Sequence, residues 1–191
     1  MKMKELEEKI LTDGIVIDNE ILKIDSFINH QIDVSLLNKI CKEIASNFKN
    51  IDKVITIETS GIAYAIGVAQ YLGNIPVVFA KKSKSLITGN NVYTSEVKSF
   101  TRKTSSTITI DKRYVTEGGN YLIIDDFLAE GNAALGLIDI ISQAKGNIKG
   151  VGVVVEKRFQ GGRKRIEDLG IKVIATASIK EFKDNKPVFE D

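Results

Sequence analysis

The sequence predicts an α/β protein with a mostly parallel central sheet flanked by helices. Three short β-branched runs, at 54–58, 121–125 and 151–156, have the continuous apolar character of strands buried on both faces. Segments of helical periodicity follow them: Ile62 to Tyr71 and Ala133 to Ala144 place apolar residues three and four apart, then stop at Gly73 and Gly146. Two further runs, Pro76 to Ala80 and Ile171 to Ala175, extend the sheet.

Before the first of these strands, the sequence reads as a helix over roughly residues 2–13 and another from about Ser35 to Asn50. Residues 82–107 break the strand–helix rhythm. They are rich in Ser, Thr, Lys and Asn around Gly89, with a weak strand signal near Ser95 to Phe100. A structureless stretch of that length inside a compact domain is ordinarily functional, so a mobile lid is expected there. Across residues 81–113, eight Lys or Arg face only Glu96 and Asp111, whereas the whole chain carries a net charge of +2. Such a cluster is either a solvated basic loop or a cover for a polyanionic ligand.

The 191 residues, 43% hydrophobic, suit one domain spanning 1–191 with its own core. No signal peptide or spanning stretch is legible, so a cytoplasmic protein without a membrane partner is expected. The overall charge gives no reason to expect nucleic acid. The single cysteine, Cys41, falls among the apolar residues of a helical pattern and reads as a buried thiol. The single histidine, His30, excludes a His-rich metal site and leaves oxygen ligands for any cation.

The most informative segment is Tyr121-Leu-Ile-Ile-Asp-Asp-Phe-Leu-Ala-Glu-Gly-Asn-Ala-Ala134, a strand ending in two acids, a tight turn at Gly131 and a helix start. Ligands of open α/β sheets bind beyond the carboxyl ends of strands, where a helix N-terminus offers N–H groups to a phosphate. Asp125 and Asp126 can accept hydrogen bonds from two neighbouring sugar hydroxyls. An ordinary strand-to-helix turn has the same composition. The full string, however, closely resembles the ribose-phosphate motif of the type I phosphoribosyltransferases, and segments 22–33, 57–63 and 155–163, in that order, resemble its bacterial xanthine-specific members over nearly the whole chain.

The resemblance implies a small hood of N- and C-terminal segments, a flexible lid loop over 82–107, a likeness to homodimers, and a reaction of xanthine with phosphoribosyl diphosphate (PRPP) and Mg2+. It implies that Asp125 and Asp126 face the ribose hydroxyls as the catalytic pair. Ala129, Glu130, Gly131, Asn132 and Ala133 would wrap the 5-phosphate, and Thr59, Ser60 and Gly61 the diphosphate. Leu22, Asn29 and Lys157 would bind xanthine, Asn29 at the 2-oxo edge and Lys157 at the 6-oxo group, with Phe159 as a stacking candidate. No direct protein ligand to the metal is implied, magnesium being carried mainly by PRPP.

Three departures matter. Many members have a Thr-Gly-Gly-Thr-like loop where this chain has Glu-Gly-Asn-Ala, so backbone N–H groups must replace hydroxyls and Glu130 is expected to turn outward. Gly161-Gly162 stands where a proline commonly precedes the glycine, which is expected to loosen that turn and leaves the role of Arg163 open. Relatives acting on hypoxanthine and guanine have an acid where this chain has Ala129, so the motif offers no general base. A guanine/hypoxanthine or adenine enzyme, and a purine-sensing regulator on the same fold, are the alternatives; a dinucleotide-binding domain is weaker, because Gly150-Val-Gly lies within a strand and lacks the third glycine.

Overall fold

The computed structural model describes residues 3–82, 91–98 and 105–190. Six strands form the central sheet: β3 (Lys53–Ile57), β4 (Val77–Ala80), β7 (Asn120–Leu128), β8 (Asn147–Lys157), β9 (Val173–Lys183) and β10 (Lys186–Phe189). Their spatial order is β10-β9-β8-β7-β3-β4, parallel except for the antiparallel β9–β10 pair. The chain passes outward from β3 to β4 and then returns to the other side of β3 as β7. Strand order therefore reverses between β3 and β7, and a ligand crevice opens beyond their carboxyl ends.

Side chains alternate across β7. Leu122 and Ile124 join one buried cluster with Ile40, Ile44, Tyr64 and Val68; Tyr121 and Ile123 join the other with Leu137, Ile141 and Ile166. Helices α1 (Lys4–Asp13), α2 (Val34–Ala45) and α3 (Gly61–Tyr71) supply the first layer, and α4 (Asn132–Gln143) and the short α5 (Gly162–Glu167) the second. Cys41 is fully buried beneath α3, where loss of hydration pushes its thiol up to about 12. It is a packing residue and not a nucleophile.

Several elements differ from the sequence expectation. The strand carrying Asp125 and Asp126 continues two residues beyond the second acid, pairing Phe127 with Val155 and Leu128 with Glu156. Helix α2 ends at Ala45 and not near Asn50, because the Ser46 hydroxyl and the Asn47 amide both donate to the Glu43 carbonyl and terminate the ladder. Helix α4 is closed by Lys145 in the left-handed conformation, one residue before Gly146.

Two hairpins were not foreseen. β1 (Ile15–Ile17) pairs with β2 (Ile21–Lys23) around Asp18 and Asn19, and β9 with β10 around Asp184 and Asn185, all four turn residues having positive φ. The turns interlock, Asn19 N donating to Asn185 Oδ1 at 3.0 Å and Asn185 N to Asn19 Oδ1 at 2.8 Å. Within the expected lid, β5 (Val92–Lys98) pairs with β6 (Ser105–Asp111) as an antiparallel hairpin, where only a weak strand was expected. Val97 and Ile108 pack on α4 so closely that Gly136 has no room for a Cβ. Residues 83–90 and 99–104 of the expected lid lie outside the described residues.

Candidate active site

The crevice at the strand reversal is built by the turns after β3 and β7. After β3, Thr59 is exposed, Ser60 half-buried and Gly61 buried, and the Glu58–Thr59 peptide is cis. Ser60 begins α3 without a side-chain cap, so its hydroxyl is not engaged by the helix start. Gly61 is required by close approach. A Cβ there would collide with the Thr56 hydroxyl and lie 3.1 Å from Asp125 Oδ1 and 3.3 Å from the Ile124 carbonyl oxygen. The 59–61 turn is thereby seated directly against the carboxyl pair on β7. Glu58 accepts the Lys82 backbone N–H at 2.6 Å, tying the ends of β3 and β4 together beside it.

On β7, Asp125 Oδ1 accepts the Asp126 backbone N–H at 3.0 Å. Burial first, then repulsion from Asp126, pushes the Asp125 carboxyl well above the usual carboxylate range, with Lys82 the opposing cation. A carboxyl so destabilised in its charged form gains from any ligand that brings hydrogen-bond donors or positive charge. Asp126, 6% exposed, accepts a 2.9 Å hydrogen bond from Asn29 Nδ2. Asn29 lies on the 24–33 loop, which the buried Tyr64 of α3 holds by donating its hydroxyl to the Ile28 carbonyl at 2.9 Å.

The turn after β7 places Gly131 at φ 81°, a conformation natural to glycine, and no side chain caps α4 behind it. Glu130 does not turn its charge wholly outward: half-buried, its carboxylate accepts Asn132 Nδ2 at 3.0 Å. Ala133 is half-buried in the first turn of α4. Ala129 uses its carbonyl to accept Gly162 N–H at 3.0 Å. Gly161-Gly162 is therefore not a loosened turn. Gly161 adopts φ 78°, which proline cannot reach, and a Cβ on Gly162 would collide with the Ala129 carbonyl oxygen and lie 2.7 Å from Gly131 N.

This pairing of an acid-tipped strand and an uncapped helix start across a strand reversal is matched by a family model. Residues 24–186 match the phosphoribosyl transferase domain. The chain belongs to the phosphoribosyltransferase family. A Clostridium tetani protein named xanthine phosphoribosyltransferase is 52% identical over 190 residues, covering 98% of this chain and all of the relative. One of the same name from Laribacter hongkongensis is 50% identical, with 98% and 100% covered. Among solved structures, adenine phosphoribosyltransferase from Rhodothermus marinus aligns with a TM-score of 0.73 at 20% identity, covering 93% of this chain and 100% of that one. The Trypanosoma brucei adenine enzyme reaches 0.76 at 14% identity, covering 95% and 83%. These two likenesses establish the phosphoribosyltransferase fold.

The remaining expected residues of this phosphoribosyltransferase divide into two groups. Lys157, at the end of β8, is half-buried and donates from Nζ to the Glu20 carbonyl at 3.0 Å, with its ammonium 5.5 Å from the centre of the Phe182 ring. Burial lowers its pKa from 10.5. Phe159 is 46% exposed and meets Phe182 edge-on at 5.4 Å, which leaves its ring available to a ligand and out of the core. Leu22, on β2 opposite Val16, is 8% exposed and its side chain belongs to the core, so of the two routes to a base, apolar surface or backbone, the backbone is the one left open.

Sequence reasoning missed two members of the surroundings. Glu156, fully buried, is held by the Arg163 guanidinium through Nε at 2.8 Å and through Nη2, while Arg163 Nη1 donates to Glu167 and to the Val173 carbonyl. Arg163 is thus the clamp that fixes the 158–162 turn beside Lys157. Arg165 reaches the 130–132 turn, and nothing in its own neighbourhood of sequence announces that contact.

Proposed function

We propose that this enzyme joins xanthine to phosphoribosyl diphosphate, giving xanthosine 5′-phosphate and diphosphate in purine salvage. The observation that carries the reading is the hydrogen bond from Asn29 to Asp126, which joins segments 97 residues apart: one expected to read the base, the other to hold the ribose. An ionised carboxylate only accepts, so it fixes the nitrogen end of the Asn29 amide toward Asp126 and leaves the second N–H to donate. That donor suits the 2-oxo group of xanthine, opposes the 2-amino group of guanine and finds no partner on hypoxanthine. Lys157 has donors beyond the one given to Glu20, and they suit a 6-oxo group in place of the amino group of adenine. The names of the relatives agree with this choice.

In the proposed reaction the bond from the anomeric carbon to diphosphate breaks, diphosphate leaves with the electron pair, and a purine ring nitrogen bonds to that carbon. Positive charge on the sugar is greatest between the two events. The Asp125 and Asp126 carboxylates hold the adjacent hydroxyls and stabilise that charge, while the 59–61 and 129–133 turns fix the leaving and retained phosphates. The reading requires no general base at Ala129, since xanthine ionises readily near neutral pH and the Lys157 ammonium favours the anion.

Among the described residues no three His, Cys, Asp or Glu side chains form a metal cluster. Two neighbouring carboxylates offer hard oxygen donors, a set that fits magnesium held chiefly by substrate oxygens. When bound, magnesium would offset the charge of the departing diphosphate. The resemblance further supports a cytoplasmic homodimer with the interlocked hairpins as hood; no described helix is long and apolar enough to cross a membrane.

The test is nucleotide formation with magnesium, phosphoribosyl diphosphate and, separately, xanthine, guanine, hypoxanthine, adenine and orotate. Xanthine is expected to react fastest. A faster reaction with guanine or adenine would overturn the base assignment and leave the sugar site standing.

A further inference from the structure

Arg165 Nη1 donates twice, to the Glu130 carbonyl oxygen at 2.6 Å and to Asn132 Oδ1 at 2.9 Å. Asn132 passes the connection back to the Glu130 carboxylate. One guanidinium from α5 thus holds both residues that flank Gly131. This turn has a particular need of such support. It offers a phosphate no hydroxyl from residues 129–133, so binding falls on backbone N–H groups whose directions follow the shape of the turn. It also contains a carboxylate, Glu130, whose charge opposes that of a phosphate. The Arg165 side chain is exposed, and its Nε and Nη2 have no hydrogen-bond partner among the described residues.

We propose that Arg165 is the positioning residue of the 5-phosphate turn. It holds Glu130 and Asn132 so that the backbone of residues 131–133 receives a pentose 5-phosphate, and its charge offsets that of Glu130. The proposal rests on the ribose 5-phosphate reading of the turn, and it assigns to α5 a part in substrate binding beyond packing.

The experiment compares the full-length protein with Arg165→Ala and Arg165→Lys, measuring equilibrium binding of ribose 5-phosphate and of inorganic diphosphate with magnesium, together with KM and kcat. Loss of two hydrogen bonds from a charged donor is expected to weaken ribose 5-phosphate about tenfold in Arg165→Ala. Diphosphate binding should stay unchanged, and KM for phosphoribosyl diphosphate should rise more than kcat falls. Lysine keeps the charge and can reach one acceptor, so Arg165→Lys should recover most of the affinity. Asn132→Ala, which removes the other end of one bond, should weaken ribose 5-phosphate in the same selective way. Unaltered ribose 5-phosphate binding in Arg165→Ala, or equal loss of both ligands, would overturn the proposal. Absence of ribose 5-phosphate binding in the unsubstituted protein would instead remove the functional reading itself, and the proposal with it.

Discussion

Adjacent glycines in the 161–162 turn should respond very differently to alanine. At Gly162 the new Cβ would collide with the Ala129 carbonyl oxygen and lie 2.7 Å from Gly131 N and 2.8 Å from the Glu130 carbonyl carbon, all backbone atoms that cannot rotate away. Relief requires the 129–131 turn and α5 to separate. Overpacking of that kind costs about 1–3 kcal/mol, and stretching the Gly162 N–H bond to Ala129 adds about 1 kcal/mol. For a chain of this length each kcal/mol lowers Tm by about 2–4 °C, so Gly162→Ala should lose roughly 4–16 °C. Because the displaced atoms form the turn proposed to hold the 5-phosphate, KM for phosphoribosyl diphosphate should rise about tenfold or more. Gly161→Ala introduces no contact within 4 Å but keeps a backbone at φ 78°. It should cost only about 1 kcal/mol of backbone strain and leave KM near its original value. Thermal unfolding and steady-state kinetics on both variants decide the matter. If the two alanines behave alike, or if Gly162→Ala keeps its substrate affinity, the claim that α5 abuts and shapes the phosphate turn is wrong.

Two further outcomes concern the base. Asn29→Ala should reduce kcat/KM for xanthine about tenfold more than for hypoxanthine, because only the first has a 2-oxo group to lose the bond; equal losses, measured in parallel assays, would remove Asn29 from the base site. Lys157 acts as an ammonium with a pKa lowered from 10.5 by burial, so its charged form is lost as pH rises through a value below 10.5. The alkaline limb of kcat/KM should therefore be present in the parent enzyme and shifted upward or absent in Lys157→Arg, whose guanidinium does not titrate there. The same substrate is used for both, so its own ionisation cancels, and superimposable pH profiles would contradict the assignment.

How much of this was legible in the sequence depended on how local each signal was. The β7–α4 string carries its strand, carboxyl pair, turn glycine and helix in fourteen consecutive residues, and all of them are found where periodicity and turn chemistry put them, save that β7 runs on to Leu128. The parallel sheet was equally legible, because strands buried on both faces have little polar interruption. The hairpins were not. β1 and β2 are three residues each, too short for a pattern, and their only cue was the Asp18-Asn19 pair, repeated at Asp184-Asn185. β5 and β6 give only a weak strand signal since their outward residues are polar, while burial of Val97 and Ile108 against α4 depends on a helix far along the chain. Arg163 and Arg165 look alike in sequence. Only the fold sends one to the buried Glu156 and the other to the 130–132 turn.

The central claim is that Asp125 and Asp126 hold the ribose during transfer, and the most direct measurement is kcat/KM for phosphoribosyl diphosphate in Asp125→Asn and Asp126→Asn, with thermal unfolding alongside. The Asp125 carboxyl is raised above 3.8, so its favourable contribution to stability is complete below that value and is lost as pH rises through the folded pKa. At neutral pH the neutral isostere, whose Oδ1 can still accept the Asp126 N–H, should therefore unfold at the same temperature as the parent or higher. Turnover should move the other way, falling by roughly two to four powers of ten in each variant, because charged acceptors in a closed site matter most at the transition state. Stable variants with greatly reduced kcat/KM are the predicted result. Near-normal kcat/KM in both would contradict the account and return the two acids to an ordinary strand-to-helix turn.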